Sequence, residues 1–228
     1  MSDEVYQVLR AKILSQQWGP GQRLDLAQIE ESMGISRTPL KEALSRLEME
    51  GLVQIQPRKG TYVTDPTAEQ ISESFDVRLV LDKYAVDLAV QRITNKQLNQ
   101  LRKMTERLEN LVDGHDWKEI DQDYLLLDNE LHEALVIIAG NKRLLETWRL
   151  VNLYNHMASV RYGRTKTDID IALAQHREML SLLEARDAQG LKQVISKHLI
   201  NAKNWLLSEV TRLQEKDNYN RRPASAGS

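Results

Sequence analysis

The chain has 228 residues, a net charge of −2 and no cysteine, which excludes a disulfide framework and thiolate metal sites and fits a reducing, cytoplasmic setting. Hydrophobic residues make up 41% and aromatic ones only 5%, so the core must come mostly from Leu, Ile, Val and Ala, a composition suited to helices. No apolar run approaches the ~18 residues of a membrane span, and the acidic start Met1-Ser2-Asp3-Glu4 lacks the apolar stretch of a signal peptide.

The periodicity predicts an amphipathic helix over about 4–17, with Val5, Val8, Leu9, Lys12 and Ile13 on or beside one face. Trp18-Gly19-Pro20-Gly21 ends it. A short helix follows from the N-cap Asp25 to Met33 and stops at Gly34. Ser36 is the expected N-cap of a third helix. Pro39 falls in its first turn, where a missing N–H costs nothing. Leu40, Ala43, Leu44 and Leu47 form one buried stripe, and Gly51 ends the helix. Val53 and Ile55, then Tyr62-Val63, are short strand-like runs flanking the basic turn Pro57-Arg58-Lys59-Gly60.

From Asp65-Pro66 onward the pattern is helical throughout. Six helices are expected, at about 67–92, 95–112, 116–139, 141–163, 168–186 and 188–214, with Thr94, Asp168 and Asp187 as N-caps and breaks at Gly114, Gly140 and Gly163. The organisation expected is a domain over 1–66, a second over 67–216, and a disordered polar tail over 217–228. The fold class is mainly α: an N-terminal winged helix-turn-helix followed by an all-α antiparallel helical bundle.

Three helices with a Gly-marked turn between the second and third, then a β-hairpin, form the winged helix-turn-helix pattern. In such units the leading end of the third helix enters the major groove of DNA. Here that end carries Ser36, Arg37, Thr38 and Lys41. Arg pairs bidentately with guanine, and Ser, Thr and helix N-terminal N–H groups suit phosphate. Arg58 and Lys59 on the wing tip could reach the neighbouring backbone or minor groove. With a net charge of −2, any such surface depends on local placement of charge.

Residues 34–53, Gly-Ile-Ser-Arg-Thr-Pro-Leu-Lys-Glu-Ala-Leu-Ser-Arg-Leu-Glu-Met-Glu-Gly-Leu-Val, resemble the signature of the GntR family of bacterial regulators. Pro20-Gly21-Gln22-Arg23-Leu24 and the wing Pro57–Val63 continue the match. The resemblance implies DNA contacts from Ser36, Arg37 and Thr38, and a close backbone approach at Gly60. Lys41 stands where Arg is usual, which replaces a fork with a point charge. Ala27 stands in a segment where the family's Arg often reaches phosphate, so that contact is missing.

Asp128 and His132, four apart, place a carboxylate and an imidazole on one helix face, able to bind one metal. His176 and His198 lie on later helices beside apolar residues. The set suits Zn, Ni, Mn or Fe, although spacing alone does not establish that the four converge. The order resembles the FCD-type ligand domain found downstream of GntR headpieces, in the FadR subfamily. Asp128-Asn129-Glu130-Leu131-His132, Gln175–Leu180 and Lys197-His198-Leu199 carry the likeness, and Asp76–Asp82 resembles its opening helix. Six helices point to the VanR-like branch. The resemblance implies that Asp128, His132, His176 and His198 bind a divalent metal and that a small carboxylate effector binds beside it, with Arg78 and Arg161 as candidate anchors.

The regulator so implied is a homodimer on a pseudo-palindromic operator, a repressor by family habit, with no membrane partner. A metal-dependent helical-bundle enzyme stands as the alternative. His115-Asp116 superficially looks like a hydrolase metal dipeptide without its other ligands. His156 has no ligand four residues away and is read as structural, and Asn141 as a helix-terminus residue.

Overall fold

A computed structural model describes residues 2–115, 117–162 and 164–220, and the chain divides into two compact units, Met1–Thr67 and Ala68–Ser228. The first, the headpiece, runs α1 (Ser2–Leu14), β1 (Arg23–Leu24), α2 (Leu26–Met33), α3 (Arg37–Met49), β2 (Val53–Gln56) and β3 (Gly60–Val63). Its sheet has the order β1-β3-β2, all antiparallel, with Val53 opposite Val63 and Gln56 opposite Gly60. This is a winged helix-turn-helix.

Local chemistry accounts for the element ends. Asp25 caps α2 by accepting from the N–H groups of Ala27 and Gln28, and Gly34 closes it at φ 62°. The stripe Leu40, Ala43, Leu44 and Leu47 of α3 is buried against Val5, Leu9 and Ile13 of α1. Two expectations for α1 are corrected. It ends at Leu14, because Gln16 turns left-handed (φ 55°) and its N–H folds back to the Ile13 carbonyl. Its buried face holds Tyr6, while Val8 is 40% exposed, because the Tyr6 hydroxyl donates to Glu50 and the Arg46 guanidinium stacks on its ring. β1 is too short to leave a periodic signal.

The second unit holds α4 (Ala68–Arg92), α5 (Asn95–Val112), α6 (Trp117–Ile138), α7 (Lys142–Tyr162), α8 (Lys166–Glu184) and α9 (Ala188–Asn220). α4 packs on α6, α7 and α9, and α8 packs on α5 and α9. The main core joins Phe75, Val86 and Ala89 of α4 to Leu135, Met179, Ile195 and Leu206, all buried. Thr94 caps α5 in a reciprocal capping box with Gln97. The expected cap at Asp168 is shifted. Thr165 is the N-cap of α8, and Asp168 is its N3 partner, whose carboxylate accepts from the Thr165 N–H and hydroxyl. Asn141 caps α7 by accepting from the Leu144 N–H at 3.1 Å. α9 continues through Asn220 into the stretch expected to be a tail, and residues 221–228 lie outside the described residues. Among the described residues no helix is long and apolar enough to cross a membrane.

Candidate functional site

Two sites emerge, one on each unit. On the headpiece, Ser36, Arg37, Thr38 and Lys41 are all exposed at the leading end of α3. Ser36 occupies the N-cap position, yet its hydroxyl makes no capping bond and is left available at the positive end of the helix. Arg58 and Lys59 are exposed on the turn between β2 and β3. Arg37, Lys41, Arg58 and Lys59 take no ion-pair partner among the described residues, so four cations stand uncompensated on a chain of net charge −2. Gly60 has an intramolecular reason to be glycine. At φ 130° an L side chain is strained, and a Cβ would lie 2.8 Å from the Arg23 Nε. Arg23, on β1, therefore packs directly over the wing.

In the helical unit, α6 supplies Asp128 and His132 one turn apart, α8 supplies His176 and α9 supplies His198. Their ligand atoms all lie within 4.8 Å of one another, and all four residues are buried. His132 Nε2 and His198 Nε2 are 3.1 Å apart, and His176 Nε2 is 3.3 Å from Asp128 Oδ1. Asp128 Oδ1 and both ring nitrogens of His176 are buried without a hydrogen-bond partner. Such orphans are rare and call for a cause. A cation supplies one. Two ligands each ~2.1 Å from a shared ion stand at most about 4.2 Å apart, so a closing-up of a few tenths of an ångström suffices.

Protonation states suit a cation as well. Burial, followed by the Arg78 charge, pushes the His132 imidazole well below its ordinary value. Burial and then His132 do the same to His198, and burial lowers His176 against the pull of Asp128. All three are therefore neutral donors at neutral pH. Burial alone would raise the Asp128 carboxyl, but the Arg164 guanidinium, reinforced by the nearby histidines and Arg78, outweighs it and holds it below the usual range. Tyr124 is fully buried one turn before Asp128, and burial, reinforced by the Asp128 charge, pushes its hydroxyl up against the pull of Arg164. His198 Nδ1 lies 3.0 Å from Gln175 Oε1, which leaves Nε2 free to face the cluster.

A cavity of about 30 Å³ adjoins the cluster, lined among others by Arg78, Asn129, Asn152, Asn155, Ser159 and Arg164. Arg78 is buried in a network: its Nε donates to Asp82 at 3.2 Å, an Nη donates to Asn152, and Trp148 donates to the other Asp82 oxygen. Asn155 is 2% exposed, and both its amide atoms lack a hydrogen-bond partner. His156, read from the sequence as structural, lines the same cavity without joining the four-residue cluster. The Arg161 side chain and Asp116 lie outside the described residues. His115 is exposed, with Nδ1 at 3.0 Å from the Asp113 carbonyl. Tyr124, Asn155 and Arg164 went unread in the sequence and Gln175 entered only as part of the 175–180 segment, although Tyr124 lies four residues before Asp128, at helical spacing.

Comparison with known proteins decides the family. Residues 73–201 match the FCD domain, and residues 1–63 match the bacterial regulatory proteins of the gntR family. The chain belongs to the GntR family of transcriptional regulators, in the FadR subfamily that carries an FCD domain. The HTH-type transcriptional regulator McbR of Escherichia coli K12 is 32% identical over 181 residues, covering 78% of this chain and 79% of its own length. The HTH-type transcriptional repressor RspR of the same organism is 26% identical over 201 residues, covering 87% and 86%. YdhC of Bacillus subtilis, an HTH-type transcriptional regulator, is 27% identical over 195 residues, 86% of each chain. Two solved structures share the fold: Escherichia coli McbR/YncC (TM-score 0.76, 20% identity, 91% of this chain and 97% of that one) and a GntR regulator from Rhodococcus sp. RHA1 (0.77, 21%, 91% and 97%). In this GntR regulator residues 1–63 are accordingly the DNA-binding domain, and the buried Asp-His-His-His group lies in its FCD domain.

Proposed function

We propose that this regulator is a homodimeric repressor whose hold on a pseudo-palindromic operator is set by a small carboxylate effector bound beside a divalent metal in the FCD domain. The observation that carries the reading is the convergence, from three helices, of four buried ligand residues, of which Asp128 Oδ1 and both His176 nitrogens have no hydrogen-bond partner. Asp128, His132, His176 and His198 would hold the ion. Zn, Ni, Mn and Fe all accept this donor set, and the ion would act as a Lewis acid toward an effector oxygen.

The rest of the cavity supports an anionic, oxygen-rich effector. Arg78 keeps donors beyond those used by Asp82 and Asn152, and the unpartnered amide of Asn155 offers both a donor and an acceptor. Arg161 remains a second candidate anchor. Ser36, Arg37 and Thr38 would read the operator, Lys41 would supply a point charge, and Arg58, Lys59 and Gly60 would bring the wing onto the backbone. The effector shifts operator binding only by the difference in its affinity for the two states. The enzyme alternative has less support, because a metal-dependent enzyme has no need of this headpiece.

Elemental analysis of the purified protein tests the metal, with about one ion per chain expected. Operator gel shifts at several salt concentrations, with a panel of mono-, di- and tricarboxylates with and without chelator, test the effector. Release that requires both carboxylate and metal supports the reading, and release indifferent to the metal overturns it.

A further inference from the structure

The cavity beside the Asp-His cluster measures only about 30 Å³. A much roomier space lies beside it. A groove of about 280 Å³ runs between α8 and α9, just below the ~300 Å³ at which pockets begin to take drug-sized ligands. Arg164 and His198 line both spaces.

The groove has the features of a built site. One wall is apolar: Ile171, Ala172, Ala202 and the half-buried Trp205 ring, over which the Arg164 guanidinium sits at 5.9 Å. Arg164 carries a positive charge. The one carboxylate, Asp168, already accepts from the Thr165 N–H and hydroxyl and belongs to the α8 cap. Gln175 is 6% exposed, and its Nε2 has no hydrogen-bond partner. The reason is chemical. The Gln175 carbonyl oxygen lies 3.0 Å from His198 Nδ1 and accepts from it in the tautomer protonated there, with or without a metal. The amide nitrogen is thereby aimed away from the cluster with nothing to donate to. A buried donor left in that state is costly.

We infer that the α8–α9 groove is a ligand site of its own, taking a small carboxylate with a flat apolar body, whose oxygens accept from Gln175 and Arg164 while the body lies against Trp205. Gln175 then bridges two sites. One end holds the His198 ring for the metal, and the other binds the groove ligand, so occupancy outside is felt inside. Only this bridge rests on the metal-centred reading; the groove itself does not.

Benzoate is the probe, titrated calorimetrically into full-length protein in metal-loaded and chelator-treated forms, with metal content read separately by elemental analysis. Saturable binding is expected in both forms. Gln175→Glu keeps an oxygen facing His198 Nδ1 and replaces the donor with a repelling one, so benzoate affinity falls at least tenfold in metal-loaded and chelator-treated protein alike. Asn201→Trp, at an exposed position on the groove rim, abolishes benzoate binding by filling the space and also leaves the metal in place. Absence of benzoate binding, or binding unchanged in both variants, overturns the proposal. Binding that needs the metal and survives Asn201→Trp places the carboxylate in the cavity, which also overturns it while supporting the metal-centred reading. Benzoate binding to a protein that never takes up metal removes that reading and leaves the groove.

Discussion

The two units of this regulator handle polar chemistry in opposite ways. The headpiece buries only the threonines Thr61 and Thr64 among its polar residues and turns its cations to the outside. The helical unit buries Arg78, Asp82, Asp128 and three histidines, and hydrogen-bonds or clusters them. Reading a polyanion needs charges that water and counterions already solvate, so a small apolar core suffices beneath them. Holding an ion or a small anion needs groups removed from water, where each unmet bond is expensive and selectivity is high. Damage should therefore appear as lost affinity in the first unit and as lost metal or lost folding in the second.

The largest effect is expected from His176→Ala combined with His198→Ala. Elemental analysis should fall from about one ion per chain to none, and thermal unfolding should lose the stabilisation that a tight ligand supplies, about 4 kcal/mol at a thousandfold excess over its dissociation constant. Retained metal would show that other residues bind it. Next comes Arg37→Ala, expected to cost about 1–3 kcal/mol of operator discrimination, roughly ten- to hundredfold in a competition gel shift, with the fold unchanged by circular dichroism.

Acidification should separate the units directly. All five histidines of the chain lie beyond the headpiece. His132, His176 and His198 are held below the 6.5 of the unfolded chain. The unfolded state thus takes up protons that the folded state refuses. The stability tied to these rings is present above pH 6.5 and is lost as pH falls below it. Asp128, also held low, adds loss in the same direction below its ordinary value of 3.8. Asp82, held high mainly by burial, works in the opposite sense and softens the slope. Hydrogen exchange on metal-free protein between pH 7 and 5 should show protection falling in α6, α8 and α9 and unchanged in α3. Equal loosening of both units would contradict this account. The smallest effect is a gain: Lys41→Arg should tighten operator binding by up to about tenfold by restoring a bidentate donor, and no change would place Lys41 away from base edges.

What the sequence made legible follows the same division. The recognition helix, its cap and the wing occupy one contiguous stretch, so local pattern and the family signature expose them together. The four cluster residues could be named from one-turn spacing and segment resemblance, but their approach to within 4.8 Å comes from the packing of three helices. Arg164 carries no periodic signal because it falls just past the Gly163 break, between two helices. Asn155 and Gln175 look like ordinary helix residues, and only the cavity and the His198 ring distinguish them. The error over Val8 and Tyr6 in α1 has a similar origin, since Glu50 and Arg46, far along the chain, decide which side chain turns inward.

The order in which the cluster residues occur along the chain carries one further consequence. A ribosome makes Asp128 and His132 first, His176 later and His198 last, on the final helix. A nascent or prematurely terminated polypeptide can offer at most an incomplete grip on an ion. Any ion would thus be gripped by all four residues only once α9 has been made, well after the headpiece that precedes them in the chain.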